Sequence, residues 1–152
     1  HMYPEVIACL RETEARQKFT YRIDVKDLET ALHLLGEETL RVYVCRSDTG
    51  EVASARVVIS TPGLRAIGWL AGTKKKFLDS GATQLLIWHT LNDLAQQGAT
   101  GFDFAGANLP TVSAAKAEWG GKLMPYYLVT PLNLRTLARS GLRMLQRVGK
   151  KR

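Results

Sequence analysis

One stretch of the chain most constrains its fold, because in residues 65–106 a helical pattern separates two strand-like patterns. Residues 65–71 (RAIGWLA) and 101–106 (GFDFAG) have the composition of short strands, and residues 82–97 carry leucines at helical spacing. A strand, a helix and a second strand in one sheet need a crossover connection. The stretch therefore predicts a βαβ-type unit inside a layered α/β structure.

The strands before this unit follow a different rule of connection. Residues 40–46 (LRVYVCR) and 51–60 (EVASARVVIS) flank the tight turn 48–50, which predicts an antiparallel hairpin. The sheet is thus expected to change from hairpin pairing to crossover connections. At such a change strands can splay and leave a crevice, and ligands favour such places in open α/β sheets.

The remaining elements complete a single domain. The order α-α-β-β-β-α-β-α-β-α predicts a mixed sheet flanked by helices, with 45% hydrophobic and 23% charged residues in 152. Asp24 or Asp27 is expected to cap the second helix, Gly36 to end it, and Pro125 to place the last strand at an edge or a bulge. The elements predicted besides those above are helices over residues 5–18, about 27–35 and 111–119, and a strand over residues 123–130.

The excess positive charge is concentrated at the end of the chain. The net charge is +7, and the seven basic residues after Leu132 carry all of it. Four of them recur every fourth residue and predict a basic amphipathic helix over residues 132–152, namely Arg135, Arg139, Arg143 and Arg147. Such a helix can meet an anionic membrane surface or RNA, or can pack on the domain with a solvated outer face. Both alternatives stay open.

Several short motifs between residues 69 and 129 follow one another in a recognisable order. They are Leu85-Leu86 with Trp88, Asp103-Phe104-Ala105-Gly106-Ala107, Ala115-Lys116-Ala117-Glu118-Trp119-Gly120-Gly121, and Tyr126-Tyr127. Together they resemble the acetyltransferase-like domain of the Fem family, a branch of the GNAT (general N-acetyltransferase) superfamily. The resemblance implies a GNAT-like domain over residues 3–131, and the first two residues, His1-Met2, are interpreted as a tag remnant.

The resemblance implies an N-acyltransferase or an aminoacyl (peptidyl) transferase that forms an amide from an activated acyl donor and an amine. A Fem-like enzyme would act in cell-envelope or exopolysaccharide metabolism, with acyl-CoA, an acyl-carrier protein or an aminoacyl-tRNA as donor. Fem enzymes have two such lobes, so a second GNAT lobe or a homodimer is an expected partner. The alternative is a catalytically silent lobe that serves as a binding or docking module for a membrane or a partner.

Three residues are candidates for catalysis. The resemblance places Lys116 at the acyl-transfer site, where an ammonium would stabilise developing negative charge. Asp103 follows a strand and precedes a glycine loop, where its carboxylate can orient an amine or instead cap the backbone of that loop. Tyr126 is a candidate proton donor, by similarity to tyrosines on the corresponding strand of some GNAT enzymes.

The loop before the long helix is the candidate donor site. GNAT enzymes bind the pyrophosphate of acyl-CoA between a strand and a helix, and N–H groups at a helix N-terminus suit phosphate. The Gln/Arg-x-x-Gly-x-Gly/Ala signature of the superfamily is absent, because Leu78 and Thr83 occupy two of its positions. The lysines of the loop can instead meet an aminoacyl-tRNA or face solvent. The candidate residues are Gly72, Thr73, Lys74, Lys75, Lys76, Ser80 and Gly81.

Other features limit the location and the chemistry. His33 and His89 have no metal-ligating partner at i+4, so no metal cofactor is expected. Two cysteines in 152 residues favour a reduced, cytoplasmic protein, and the basic helix would allow association with the inner face of a membrane.

Overall fold

The computed structural model describes residues 2–107, 110–127 and 129. These residues divide into a body that ends at Gly121 and a second unit that begins at Lys122. The predicted basic helix over residues 132–152 lies outside the described residues. The elements of the body are α1 (Tyr3–Gln17), α2 (Val25–Leu35), β1 (Leu40–Arg46), β2 (Val52–Ile59), β3 (Arg65–Thr73), α3 (Ala82–Gln96), β4 (Gly101–Asp103) and α4 (Pro110–Ala117), with a 3-10 turn at Lys75–Phe77.

The four strands form one mixed sheet in the order β1-β2-β3-β4. β1 pairs with β2 and β2 with β3 in antiparallel fashion, whereas β3 and β4 pair in parallel. The change from hairpin to crossover connection thus occurs between β3 and β4, with α3 as the crossover helix. The predicted α/β fold with a mixed sheet and flanking helices is confirmed.

Helices cover both faces of the sheet. On one face α1 and α2 pack on a cluster of buried apolar side chains that includes Val6, Leu10, Val57 and Leu70. On the other face α3 packs its Leu94 on Val58 and Ala66. The alternation along β2 explains both clusters, because neighbouring residues of a strand point to opposite faces.

The two N-terminal helices begin and end as local sequence dictates. Pro4 lies in the first turn of α1, where its missing N–H costs nothing. The Asp24 carboxylate accepts from the N–H of Asp27, and the Asp27 carboxylate accepts from the N–H of Asp24, which makes a reciprocal capping box. Gly36 ends α2 with a positive φ of 75°.

Gly72 fixes how closely α1 approaches the sheet. A Cβ atom placed on Gly72 would lie 2.5 Å from the carbonyl oxygen of Cys9 and 2.8 Å from the backbone nitrogen of Leu10. Both atoms belong to the backbone of α1, so they cannot move aside without moving the helix. Glycine at this position therefore sets the packing distance between α1 and β3.

Two predicted strands differ from the structure. β4 ends at Asp103 rather than at residue 106, because the chain turns there and Ala105 takes a positive φ of 55°. The described residues 122–127 form no strand, and their side chains are exposed. Pro125 has no N–H to give to a ladder, which is consistent with irregular backbone at this place.

Candidate active-site cleft

The sheet opens between β3 and β4. The two strands pair only from Arg65 to Ile67, and β3 then continues alone as far as Thr73. A β-bulge at Trp69 interrupts the pairing of β3 with β2 at this point, and a bulge bends its strand and increases the local twist. The gap between the strands widens into a cleft of about 890 Å³. Its walls are β3, the β4–α4 loop, α4 and the facing ends of α1 and α3.

The free edge of β3 turns backbone groups toward the cleft. The N–H of Lys74 donates to the carbonyl of Ala53 on β2 at 2.9 Å. Because hydrogen-bonded residues alternate in an antiparallel ladder, the N–H and C=O groups of Thr73 and Ala71 point away from β2. The Tyr21 hydroxyl donates to the carbonyl of Ala71 at 3.0 Å. The N–H of Ala71 points in the same direction, into the gap between β3 and β4.

Residues of α1 hold the end of β3 in place. The Thr13 hydroxyl accepts from the N–H of Thr73 at 3.1 Å, and Arg16 donates to the carbonyl of Thr73 at 3.2 Å. On the other face of the strand, the hydroxyls of Ser54, Thr73 and Thr83 form a chain with spacings of 2.9 and 2.8 Å. This chain ties the first turn of α3 to the sheet, so the helix N-terminus has a fixed position beside the cleft.

The N-terminus of α3 supplies further N–H groups. Gly81 precedes the helix with a positive φ of 77°, and the Ser80 hydroxyl accepts from the N–H of Ala82 at 3.3 Å. The first intrahelical bond runs from Leu85 to Gly81, so the N–H groups of Thr83 and Gln84 have no acceptor among the residues that the structure describes. Thr83 and Gln84 both line the cleft.

The lysine run of the β3–α3 loop lies away from the cleft. The ammonium groups of Lys74 and Lys76 both pair with the Glu51 carboxylate, the former at 2.8 Å. These two hydrogen bonds hold the pKa of Glu51 below its usual value. The N–H of Lys75 donates to the Glu12 carboxylate. Of the seven predicted donor-site residues, Gly72 and Thr73 line the cleft, while the three lysines, Ser80 and Gly81 do not.

Lys116 lines the cleft and is bound to the loop that forms one wall. Its ammonium donates to the carbonyls of Phe104 (2.6 Å), Ala105 (3.1 Å) and Gly106 (2.6 Å). A lysine ammonium has three protons, and here each has a backbone acceptor. Burial, and next the positive charge of Arg56, lower the pKa of Lys116. The arrangement holds the β4–α4 loop in one conformation.

The two other predicted catalytic residues occupy different surroundings. The Asp103 carboxylate accepts from the N–H of Ala105 at 2.8 Å, and its side chain does not line the cleft. This is the loop-capping geometry, the second of the two roles considered for it. Tyr126 belongs to the second unit and is 71% exposed.

Arg56 is one of the cleft residues that were not predicted from the sequence. It lies in the middle of β2, is only 9% exposed, and lines the cleft. Its guanidinium carbon lies 5.9 Å from the centroid of the Phe102 ring, and burial lowers its pKa. The available signal was a lone charge in the strand VASARVVI, since arginine is almost never buried without a partner.

Two further groups in the cleft can exchange protons. Glu118 is the one carboxylate among the described residues that line it. Tyr21 lines it as well, and burial raises the pKa of its phenol. A tyrosine was predicted as proton donor from the sequence, but the residue named was Tyr126. Tyr21 was not considered, because no local pattern indicates that the segment after α1 lies at the edge of β3.

Neither a metal-binding cluster nor a membrane-spanning helix is found among the described residues. Within residues 2–107, 110–127 and 129, no group of three or more His, Cys, Asp or Glu side chains is placed to hold a metal ion. In the same residues, none of the helices has the length and apolar character required to cross a bilayer.

A mixed sheet that opens beside a helix N-terminus, with N–H groups on both sides of the gap, suits an extended ligand that carries phosphate. The family of proteins described as "Acetyltransferase (GNAT) domain" matches residues 3–117. Because the match covers most of the chain, this protein belongs to the GNAT acetyltransferase family. The match confirms the expected GNAT superfamily. Members of this family use an acyl donor, in general acyl-CoA, and an amine acceptor.

Solved structures show the same fold at low sequence identity. An aminoglycoside acetyltransferase from an uncultured soil metagenomic sample, in complex with sisomicin, is 15% identical with a TM-score of 0.63, over 86% of this chain and 90% of that chain. An acetyltransferase of Trypanosoma brucei is 12% identical with a TM-score of 0.59, over 86% and 94%. A transcriptional regulator from Bacillus halodurans is 14% identical with a TM-score of 0.66, over 86% and 93%. No curated protein sequence matches this chain.

Proposed function

We propose that this protein transfers an acyl group from acyl-CoA to an amine in the cleft between β3 and β4. One observation carries the proposal: the free edge of β3 and the first turn of α3 turn backbone N–H groups into the same opening. An extended thioester with phosphates at one end needs hydrogen-bond donors near its carbonyl groups, here on β3, and near its phosphates, here at the start of α3. The family gives the reaction class, and the geometry supports its location.

The residues of the cleft fit the two ends of such a donor. The N–H groups of Thr83 and Gln84, at the positive end of the α3 dipole, would bind phosphate oxygens. The N–H of Ala71 would bind a carbonyl group beside the bulge. Acyl-CoA supplies an activated carbonyl carbon, and the chain supplies the position of that carbon relative to an amine.

The transfer requires a proton to leave the amine and a proton to reach the departing sulfur. As the C–N bond forms and the C–S bond breaks, the products are an amide and a thiol. Glu118 is placed to accept the amine proton, directly or through water, because it is the carboxylate of the described cleft. The raised pKa of Tyr21 keeps its phenol protonated, as a donor to a thiolate must be.

Lys116 acts in this proposal as a positioning residue. Its three hydrogen bonds to Phe104, Ala105 and Gly106 connect the two longest motifs of the sequence, residues 103–107 and 115–121. The ammonium thus holds the wall of the cleft against which an acceptor would rest. The oxyanion role predicted for Lys116 would require one of these bonds to be exchanged for a bond to substrate.

The test is thiol release from acetyl-CoA with a panel of amines, followed by mass spectrometry of the amide. We expect amine-dependent turnover in the wild type and a fall of about 10- to 100-fold in kcat for Tyr21→Phe. Tyr43→Phe is the matched control, because the Tyr43 hydroxyl donates to Asp93 outside the cleft. A wild-type protein that binds no acyl-CoA and releases no thiol would instead support the binding-module alternative.

The panel should separate three kinds of acceptor. The aminoglycoside of the metagenomic acetyltransferase is a polycation, and the described cleft has four basic side chains against one acidic one, which disfavours such a substrate here. The basic side chains are Arg16, Lys18, Arg56 and Lys116. Amines of peptide and of sugar complete the panel.

We also propose, on the motifs alone, a narrower Fem-like activity toward cell-envelope or exopolysaccharide amines. Its donor would be acyl-CoA, an acyl-carrier protein or an aminoacyl-tRNA, and exchange of the donor in the same assay decides among them. The free cysteines Cys9 and Cys45 fit a reducing compartment such as the cytoplasm. Docking to a membrane or RNA through residues 132–152, and pairing with a second lobe, stay predictions.

A further inference from the structure

Arg56 is a buried cation with no carboxylate partner among the residues that the structure describes. Its side chain makes no hydrogen bond or salt bridge within the described residues, and its Nε is buried without an acceptor. All 14 Asp and Glu residues of the chain lie in the described part, and none of them forms a salt bridge with Arg56. No other side-chain carboxylate exists that could neutralise the guanidinium.

The guanidinium faces the cleft at the point where the sheet opens. A Cβ on Gly68 would lie 3.4 Å from Nη1 of Arg56 and 3.0 Å from Cζ of Phe102, so glycine leaves the room that the guanidinium uses. Lys116 is close enough for the charge of Arg56 to lower its pKa. Two cations thus share one end of the cleft, where the Asp103 carboxylate partly offsets the lowered pKa of Lys116 and the Tyr21 phenol partly offsets that of Arg56.

This end of the cleft is separate from the phosphate-binding end. Thr73 lies five residues after Gly68 along β3, which corresponds to about 16 Å of extended chain. The N–H groups of Thr83 and Gln84 are at the Thr73 end. An anion held by Arg56 would accordingly belong to the reacting end of the bound molecules and not to the phosphates of the donor.

We propose that Arg56 binds an oxyanion, a carboxylate or a phosphate, carried by the acceptor amine. The inference rests on the proposed acyl transfer and names its substrate class: amino acids, peptides or phosphorylated amines that present an anion near the reacting nitrogen. A plain ammonium ion would be repelled by this end of the cleft, whereas an acceptor with its own anion is attracted. The same cations favour the neutral amine, which is the nucleophile.

The experiment compares two pairs of amines, and in each pair one member carries an anion that the other lacks. The pairs are 4-aminobutyrate with 4-aminobutanamide, and 2-aminoethyl phosphate with ethanolamine. For each we would measure binding by titration calorimetry and KM and kcat by thiol release from acetyl-CoA. The proteins are the wild type, Arg56→Met and Arg56→Lys. Arg41→Met is the matched control, because Arg41 lies on β1 near Glu38 and outside the cleft.

We expect the wild type to bind at least one of the anion-bearing amines about 10- to 100-fold more tightly, in Kd or KM, than its twin without the anion. Arg56→Met abolishes the preference, Arg56→Lys keeps part of it, and Arg41→Met keeps it all. Equal affinity for the twins, a preference that survives in Arg56→Met, or an equal fall in kcat for both twins would overturn the inference. An Arg56-dependent preference in calorimetry without any thiol release would support the anion site and refute acyl transfer.

Discussion

Replacing Arg56 by methionine is expected to stabilise the fold, although it removes a side chain from the candidate active site. Arg56 is only 9% exposed, and burial without a carboxylate partner lowers the pKa of its guanidinium. A charge held in this way opposes folding, because it leaves water and gains no carboxylate in return. Methionine fills a similar volume with an apolar chain and carries no such cost.

The size of the effect follows from two opposing contributions. Exchange of a buried charged group for apolar atoms is neutral to stabilising by about 1–4 kcal/mol. The contact of the guanidinium with the Phe102 ring, at 5.9 Å, is lost, and such contacts contribute roughly 0.5–2 kcal/mol. The net gain is therefore about 1–2 kcal/mol in the free energy of unfolding. In a domain of this size that raises Tm by roughly 2–8 °C.

The measurement is urea and thermal unfolding in a chloride buffer without phosphate or carboxylate, which are candidate ligands of Arg56. Adding phosphate should then raise the Tm of the wild type and narrow its difference from the variant. A loss of 1 kcal/mol or more in Arg56→Met would refute the reasoning, since it would show that the guanidinium has a stabilising partner in the folded protein.

Three further predictions concern packing, loop position and acid stability. Gly72→Ala should cost about 1–3 kcal/mol of unfolding free energy, because its Cβ meets the α1 backbone, while Gly106→Ala should change it by less than about 0.5 kcal/mol, because nothing lies within 4 Å. Lys116→Met should lower stability by about 1–3 kcal/mol together with kcat, and Lys116→Arg should restore part of both; loss of kcat at unchanged stability would instead favour the oxyanion role. Hydrogen bonds from Arg11, and next from a backbone N–H, lower the pKa of Glu14, so its stabilising contribution is present above its usual value of 4.5 and is lost as the pH falls through the lowered pKa. Glu14→Gln should remove that part of the acid unfolding profile, and an unchanged profile would count against it.

Periodicity and caps predicted most of the fold, because they depend on neighbours in sequence. The capping box of Asp24, the hairpin of β1 and β2 and the crossover helix α3 all follow from local pattern. The early end of β4 and the bulge at Trp69 do not, since both depend on how strands pair in the sheet. Within α3, Leu86 and Leu94 are buried, whereas the motif residues Leu85 and Trp88 are exposed.

The candidate site was harder to predict than the fold. The strand–helix junction and Lys116 were found from motifs, whereas two of the three consecutive lysines predicted for phosphate, Lys74 and Lys76, pair with Glu51. Arg56 and Tyr21 come from segments far apart in sequence, and only the sheet brings them to one cleft. Their roles depend on tertiary contacts, which cannot be predicted from residue spacing along the chain.

Hydrogen–deuterium exchange with and without acetyl-CoA tests the central claim most directly. If the cleft between β3 and β4 holds the donor, slower exchange should appear in two separate segments, the bulge with Ala71 and the first turn of α3 with Thr83 and Gln84. The Glu51 side of the sheet should be unaffected. Binding of acetyl-CoA with protection elsewhere, or no binding at all, would contradict the assignment of this cleft as the site of acyl transfer.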